Sequence, residues 1–160
     1  MPEAILFLSA ALGIYLLIKY VLGNKKRSKN NSSEDLIGDG LRHQDKRVVL
    51  MTALLALSAR IAKADGKVLR IEKETVARHL GLPADAFRSP SRLFDAACDT
   101  DIPTAVFVRV IRDRYPDNSD RAKVVELLRE IAWSDGEVHE AEEEFFDRVC
   151  RELGFQSSHI

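Results

Sequence analysis

Apolar residues follow two patterns along the chain, one continuous and one periodic. Residues 4–23, AILFLSAALGIYLLIKYVLG, carry one charged side chain in 20 positions. A helix of that length spans about 30 Å, the thickness of a bilayer core. From Asp45 onward, apolar residues instead recur at intervals of three and four, which is typical of helices rather than strands. The sequence therefore predicts a transmembrane helix followed by an all-α domain.

The charges beside the apolar segment predict its orientation. A basic run at residues 25–29 follows it, whereas Glu3 is the one charged side chain before it. Lys and Arg flanks stay on the cytoplasmic side of a membrane. We therefore expect a single-pass protein of the inner (plasma) membrane, with its amino terminus outside and its C-terminal domain in the cytoplasm. A cleaved signal peptide is the alternative, which the lack of a basic segment before the apolar residues disfavours.

Residues 24–44 are mostly Lys, Asn, Ser, Gly and Asp, and their only large apolar residues are Leu36, Ile37 and Leu41. So few apolar side chains cannot offset the entropy lost on ordering. We therefore expect a flexible cytoplasmic tether at residues 24–44, between an anchor at residues 1–23 and a folded domain at residues 45–156.

Within the domain, residues 48–62 are apolar on almost every face, which predicts a helix surrounded by other helices. Further helical patterns cover residues 72–80, a segment broken by Pro83 and Pro90, and residues 101–115. Two more follow toward the C-terminus. These helices should form a compact bundle that folds without metal or disulfide support.

An internal repeat at an offset of 70 residues is the most informative feature of the sequence. The segment ADGKV at residues 64–68 recurs as SDGEV at residues 134–138, and both belong to the pattern Asp-Gly-x-Val-x-x-x-Glu-x-Glu. Each copy follows an apolar helix that ends in Ile-Ala. The glycines can end these helices in the left-handed conformation, and the first Glu falls in the first turn of the next helix, favoured by its dipole. We expect two helix-turn-helix units that face each other.

The aspartates of the repeat suggest a candidate metal site. A negative charge near a helix C-terminus is unfavourable, so each aspartate needs a partner, either the amide groups of the turn or a cation. An EF-hand is excluded, because the oxygen ligands at loop positions one and three are missing. If the turns meet, four carboxylates suit a hard divalent ion, calcium or magnesium. These candidate ligands are Asp65, Glu72, Asp135 and Glu142.

These paired Asp-Gly-x-Val turns, with their apolar helices and closing Leu-Gly segments, resemble the TerB-like fold over residues 45–155. That family includes tellurite-resistance TerB proteins and the membrane-anchored amino-terminal region of the DnaJ-like co-chaperone DjlA, whose single span followed by this domain is similar. The resemblance implies a role in metal or envelope stress, or in chaperone-linked assembly.

Two departures from that family qualify the resemblance. A J domain needs a His-Pro-Asp loop, and the nearest string is Tyr115-Pro116-Asp117, so J-type activity is not expected. Relatives often place Ser or Thr four residues after the Asp, and this chain has Leu69 and His139 there. The later glutamates therefore lack that hydroxyl partner.

Composition narrows the class of function. Lys plus Arg number 24 against 25 Asp plus Glu, and 7% of residues are aromatic, which gives neither the basic excess nor the stacking surfaces of a nucleic-acid-binding protein. Cys98 and Cys150 have no metal-ligand spacing, so we interpret them as reduced thiols. The motifs of hydrolases, NTPases and dinucleotide enzymes are missing. We therefore expect no catalytic residues and no cofactor other than the candidate divalent cation.

The distribution of charge favours a binding surface. Acidic residues dominate residues 135–152 and basic ones residues 60–79, with four arginines between residues 109 and 121. Such segregation orients a partner or joins the units of one chain. Ser9 and Gly13 form a small-xxx-small pair that lets two membrane helices approach as a homodimer. We expect a membrane-anchored, non-catalytic interaction domain with a membrane or cytoplasmic protein partner, and a divalent-ion sensor is the alternative.

Overall fold

Helices make up all the regular structure in the described part of the chain, and the predicted all-α class is confirmed. The computed structural model describes residues 33–88, 91–137 and 139–156. Its helices are α1 (Ser33–Leu41), α2 (Lys46–Ala62), α3 (Arg70–His79), α4 (Arg92–Asp99), α5 (Thr104–Arg114), α6 (Asn118–Ala132) and α7 (Glu140–Leu153).

The predicted transmembrane helix at residues 4–23 lies outside the described residues. Within residues 33–88, 91–137 and 139–156, none of the helices has the length and apolar character needed to cross a bilayer.

Helix α2 is the centre of the bundle, as its apolar sequence predicts. It contacts each of the other six described helices, and 13 of its 17 residues are buried. The helix begins at Asp45, whose carboxylate accepts a hydrogen bond from the N–H of Arg47 at 2.9 Å, so an N-cap side chain satisfies the first turn. Phe94 of α4 and Phe107 of α5 are fully buried against this centre.

Helix α1 shows that the predicted tether is wrong over its second half. Ile37 is fully buried, and Leu36 and Leu41 pack partly buried against the same core. Helix α1 lies on α2 and α4. Counting apolar residues missed this helix, because three of them suffice when their spacing places them on one face. The folded part of the chain therefore includes Ser33–Leu41, upstream of the predicted start at Asp45.

A glycine lets α1 approach α2, and this contact gives a testable prediction. A Cβ at Gly40 would lie 2.4 Å from Oγ1 of Thr52, whereas a Cβ at Gly38 would meet only the flexible end of Arg42, at 3.3 Å. Gly40→Ala is expected to lower the free energy of unfolding by about 1–3 kcal/mol through overpacking. In the matched control, Gly38→Ala is expected to be neutral or stabilising by up to about 1 kcal/mol, since Ala favours helix. Urea unfolding measures both, and equal effects would contradict the close contact.

The internal repeat is visible as two equivalent helix pairs. Helices α2 and α6 end at Ala62 and Ala132, and helices α3 and α7 begin at Arg70 and Glu140, so the offset of 70 holds at both ends. We call the connections hinge 1 (residues 63–69) and hinge 2 (residues 133–139). Helix α3 packs on α6 and helix α2 packs on α7, so the two units are in direct contact.

Candidate functional site

Both hinges contain the same glycine turn. Gly66 and Gly136 have φ angles of 89° and 83°, in the left-handed region that favours glycine. Their N–H groups donate to the carbonyl oxygens of Lys63 and Trp133 at 2.8 and 3.2 Å. A Cβ on either glycine would meet no atom within 4 Å. The backbone conformation alone therefore favours glycine here.

The aspartates before these glycines close the turns. Oδ1 of Asp65 accepts a hydrogen bond from the N–H of Lys67 at 2.8 Å, and Oδ1 of Asp135 accepts one from the N–H of Glu137 at 3.1 Å. Such side-chain contacts to a backbone amide two residues ahead stabilise a turn. Of the two partners expected for the aspartates, the structure shows the turn amides.

Glu72 and Glu142 are buried acidic side chains, only 3% and 2% exposed. Each bends back over the start of its helix. The N–H of Leu69 donates to Oε2 of Glu72 at 2.5 Å, and the N–H of His139 donates to Oε2 of Glu142 at 3.2 Å. This is half of a capping box. Leu69 has no side-chain acceptor, and the side chain of His139 makes no cap hydrogen bond. Glu72 and Glu142 therefore hold the helix starts without a hydrogen-bonding N-cap side chain.

The two hinges meet through these glutamates, whose carboxyl groups approach closely enough to share a proton in a hydrogen bond. Burial, together with the charges of Glu142 and Asp135, raises the pKa of Glu72 to about 8, although the N–H of Leu69 lowers it. Burial also raises the pKa of Glu142. Near neutral pH the pair therefore retains one proton, because two buried carboxylates in contact do not both ionise.

One residue breaks the pseudo-symmetry of the two hinges. Nε2 of His139 lies 3.7 Å from Oδ2 of Asp65, whereas hinge 1 has the apolar Leu69 at the equivalent position. The charge of His139 lowers the pKa of Glu142, against the larger effect of burial. The two hinges therefore differ in the charges that face their glutamates, although their turns are alike.

All four residues of the predicted divalent-ion site lie at this end of the domain, and each has a protein partner. The two aspartates hold turn amides and the two glutamates hold helix amides and each other. Over residues 33–88, 91–137 and 139–156, no set of three or more His, Cys, Asp or Glu side chains is arranged to hold a metal ion. A metal would also have to displace the proton of the pair. Calcium or magnesium binding thus stays a prediction.

Three large apolar side chains are exposed around the hinges, and sequence reasoning missed them. Leu69, Ile71 and Trp133 are 42%, 45% and 38% exposed, and we call them the hinge face. The Trp133 ring rests edge-on against Phe146, with ring centroids 5.4 Å apart, so the indole has a fixed base. Helical periodicity assigns apolar residues to a core. The signal that could have found this face is an apolar Leu69 at an N-cap, where polar residues are usual.

The described cysteines are kept unreactive by burial, and the histidine of α3 lies beside an acid of α6. Cys98 and Cys150 are free thiols, and burial raises their pKa values to about 12 and about 11, which keeps them protonated and weakly nucleophilic. Nε2 of His79 on α3 lies 2.7 Å from Oε2 of Glu130 on α6. That pair is a second link between the two units of the repeat.

Two equivalent helix-hinge-helix units, joined by buried acids, define a duplicated all-α domain. The family model described as Tellurite resistance protein TerB matches residues 51–160, which is more than half of the chain and includes both hinges. The chain belongs to the TerB family. No curated protein and no solved structure matches it.

Proposed function

We propose that this TerB-family chain is a membrane-anchored protein whose cytoplasmic domain binds a protein partner through the hinge face and catalyses no reaction. The hinge face is the observation that carries the proposal. Leu69 and Ile71 flank the start of α3 and Trp133 follows the end of α6, so all three belong to the hinges or adjoin them. Apolar side chains exposed together are typical of protein-binding surfaces, and Trp is enriched among the residues that dominate binding energy.

The contacts beneath the hinge face favour binding without rearrangement. The bond between Glu72 and Glu142 fixes the two hinges to each other, and the pair of His139 with Asp65 crosses the same boundary. A surface that is already ordered loses little conformational entropy when a partner arrives. The buried acids act in this proposal as the support of the binding face.

Charges on either side of the hinge face would orient the partner. Hinge 1 and the start of α3 present exposed basic residues, and hinge 2 and the start of α7 present exposed acidic ones. A partner with the opposite arrangement is attracted in one orientation. The exposed residues are Lys63, Lys67 and Arg70 on one side and Glu137, Glu140 and Glu143 on the other.

The proposed anchor is the apolar segment at residues 4–23, with its basic flank in the cytoplasm. Nine residues, 24–32, separate its end at Gly23 from the start of α1 at Ser33, and a chain of that length reaches about 30 Å at most. The domain would therefore act close to the membrane surface. TerB membership, and the similarity of this arrangement to that of DjlA, favour a role in tellurite, metal or envelope stress or in chaperone-linked assembly.

Site-specific photo-crosslinking of the full chain in native membranes tests this proposal. A photoreactive residue at Ile71 is expected to give a discrete protein adduct. One at Ala122, which is exposed on α6 and lies about 15 Å along the helix from hinge 2, is expected to give none. The chain should also stay in the membrane fraction after a carbonate wash.

A variant that places a charge on the hinge face makes the crosslinking test stricter. Leu69→Glu places a carboxylate among apolar side chains and is expected to weaken partner binding by about 2 kcal/mol, roughly 30-fold. The Ile71 adduct should then disappear while the melting temperature stays within about 2 °C. Ala122→Glu adds the same charge elsewhere and should leave the adduct intact. Equal adducts at both sites, or an adduct indifferent to Leu69→Glu, would reject the hinge face.

A further inference from the structure

A second surface, separate from the hinges, is a cleft lined by four arginines. It lies between α5, the first turn of α6 and the last turn of α7, and has a volume of about 680 Å³. We call it the arginine cleft. Its charged lining residues are Arg109, Arg112, Arg121 and Arg151 with the two acids Asp113 and Glu152. The lining thus carries two more positive charges than negative ones.

Three of these arginines are exposed without a counter-ion. Arg109, Arg112 and Arg151 form no ion pair with any residue in the described part of the chain, although ion pairs occupy much of the remaining surface. Arg109 and Arg112 lie three positions apart on α5, where like charges face each other and destabilise the helix slightly. A bound anion would remove that repulsion.

The fourth arginine is held in a fixed orientation. Nη1 of Arg121 donates to the carbonyl oxygens of Tyr115 and Pro116 at 2.9 and 2.6 Å, and Nη2 donates to Oδ1 of Asn118. Its Nε is buried and has no hydrogen-bond partner. The cleft therefore contains one guanidinium whose orientation is fixed before any ligand binds.

The start of α6 adds positive potential beside the cleft. Its N-cap, Asp117, makes no side-chain cap hydrogen bond, so the first amides of a helix of 15 residues have no side-chain acceptor. The carboxylate of Asp120 in that turn is occupied by Lys123 at 3.2 Å. Unsatisfied amides and the helix dipole both favour an anion near this end.

We propose that the arginine cleft binds a phosphate ester that carries free hydroxyl groups. Guanidinium groups match the oxygens of a phosphate in forked pairs. The carboxylates of Asp113 and Glu152 on the same lining are acceptors for hydroxyl groups. The volume is that of a typical small-molecule site. A glycerol phosphate supplies this chemistry, either as a soluble molecule or as the headgroup of an anionic phospholipid.

Calorimetry on the full chain in detergent tests the cleft with three probes: glycerol 3-phosphate, inorganic phosphate and short-chain phosphatidylglycerol. At least one glycerol phosphate probe is expected to bind. Arg109→Gln/Arg112→Gln should weaken that binding by at least about tenfold, since both guanidinium groups lose their charged hydrogen bonds to the phosphate. The matched control, Arg88→Gln/Arg129→Gln, removes two positive charges outside the cleft and should leave binding unchanged. Phosphatidylglycerol tests the phospholipid headgroup as the source of the ligand, and glycerol 3-phosphate tests a soluble molecule.

Two further readouts separate binding from a structural role. Without ligand, Arg109→Gln/Arg112→Gln should melt at or slightly above the wild-type temperature, because it relieves repulsion between unpaired charges. Asp113→Asn/Glu152→Gln should reduce the preference for glycerol 3-phosphate over inorganic phosphate. Absence of binding to all three probes, or equal weakening by the two arginine double variants, would overturn the proposal.

Discussion

Glu72→Gln is expected to remove most of the pH dependence of the domain's stability between about pH 5 and pH 9. Glu72 has a pKa near 4.5 in a free chain and about 8 in the folded domain. Between these values the folded state binds more protons than the unfolded state, so the free energy of unfolding falls as pH rises. The stabilisation that the protonated Glu72 contributes is complete below its pKa in the free chain and is lost above its pKa in the folded domain. The amide group of the glutamine side chain can donate a hydrogen bond to Glu142 and accept one from the N–H of Leu69, as the protonated carboxyl group of Glu72 does.

Chemical denaturation of the full chain at several pH values measures this effect. We expect the wild type to lose about 2–4 kcal/mol across the range, less than the full pKa difference implies because buried sites relax. Glu72→Gln should keep only the smaller pH dependence that the raised pKa of Glu142 leaves, and it should be the more stable protein at the alkaline end. Glu143→Gln, an exposed neighbour on α7, controls for other groups that titrate there and should follow the wild type. If the free energy of unfolding falls equally with pH in the wild type and in Glu72→Gln, no shared proton stabilises the fold.

Ile37→Ala is expected to destabilise the domain by about 2–4 kcal/mol, because it removes a fully buried side chain and leaves a cavity. The residue lies in a segment whose composition predicts a flexible tether. If residues 33–41 were a flexible tether, Ile37→Ala would leave the stability unchanged. The variant therefore distinguishes a tether from a packed helix α1.

Thermal and urea unfolding of the full chain measure the Ile37→Ala effect. Leu41→Ala is a matched control on the same helix, since Leu41 is only partly buried, and it should cost about 1 kcal/mol. An Ile37→Ala variant as stable as the wild type would mean that α1 does not pack on α2 and α4 in solution.

Most helices follow from local sequence patterns. Apolar residues on every face predicted α2, and the Asp-Gly turns predicted the helix ends at both hinges. The pattern was less informative where spacing and caps matter. Helix α5 begins at Thr104 after Pro103, later than the expected start at Asp101. The apolar Val106 is 37% exposed, because its neighbour Phe107 takes the inward face of the helix.

The repeat predicted which residues of the site would meet but not their chemistry. An offset of 70 brings Glu72 and Glu142 to equivalent positions, and the packing of α3 on α6 and of α2 on α7 shows that the two units are in contact. Whether two such acids ionise depends on burial by the rest of the fold, which no local pattern specifies. Exposure of Leu69 at a turn depends in the same way on what packs nearby.

The proton shared between the hinges is tested most directly by NMR, following the side-chain carboxyl carbons of Glu72 and Glu142 through a pH titration. Glu72 is expected to titrate near pH 8, and Glu142 should also titrate above the value usual for a free glutamate. Each resonance should respond to the titration of the other, because the two groups share one proton. If both residues titrate independently near the ordinary glutamate value, the hinges are not joined in this way, and the hinge face loses its proposed support.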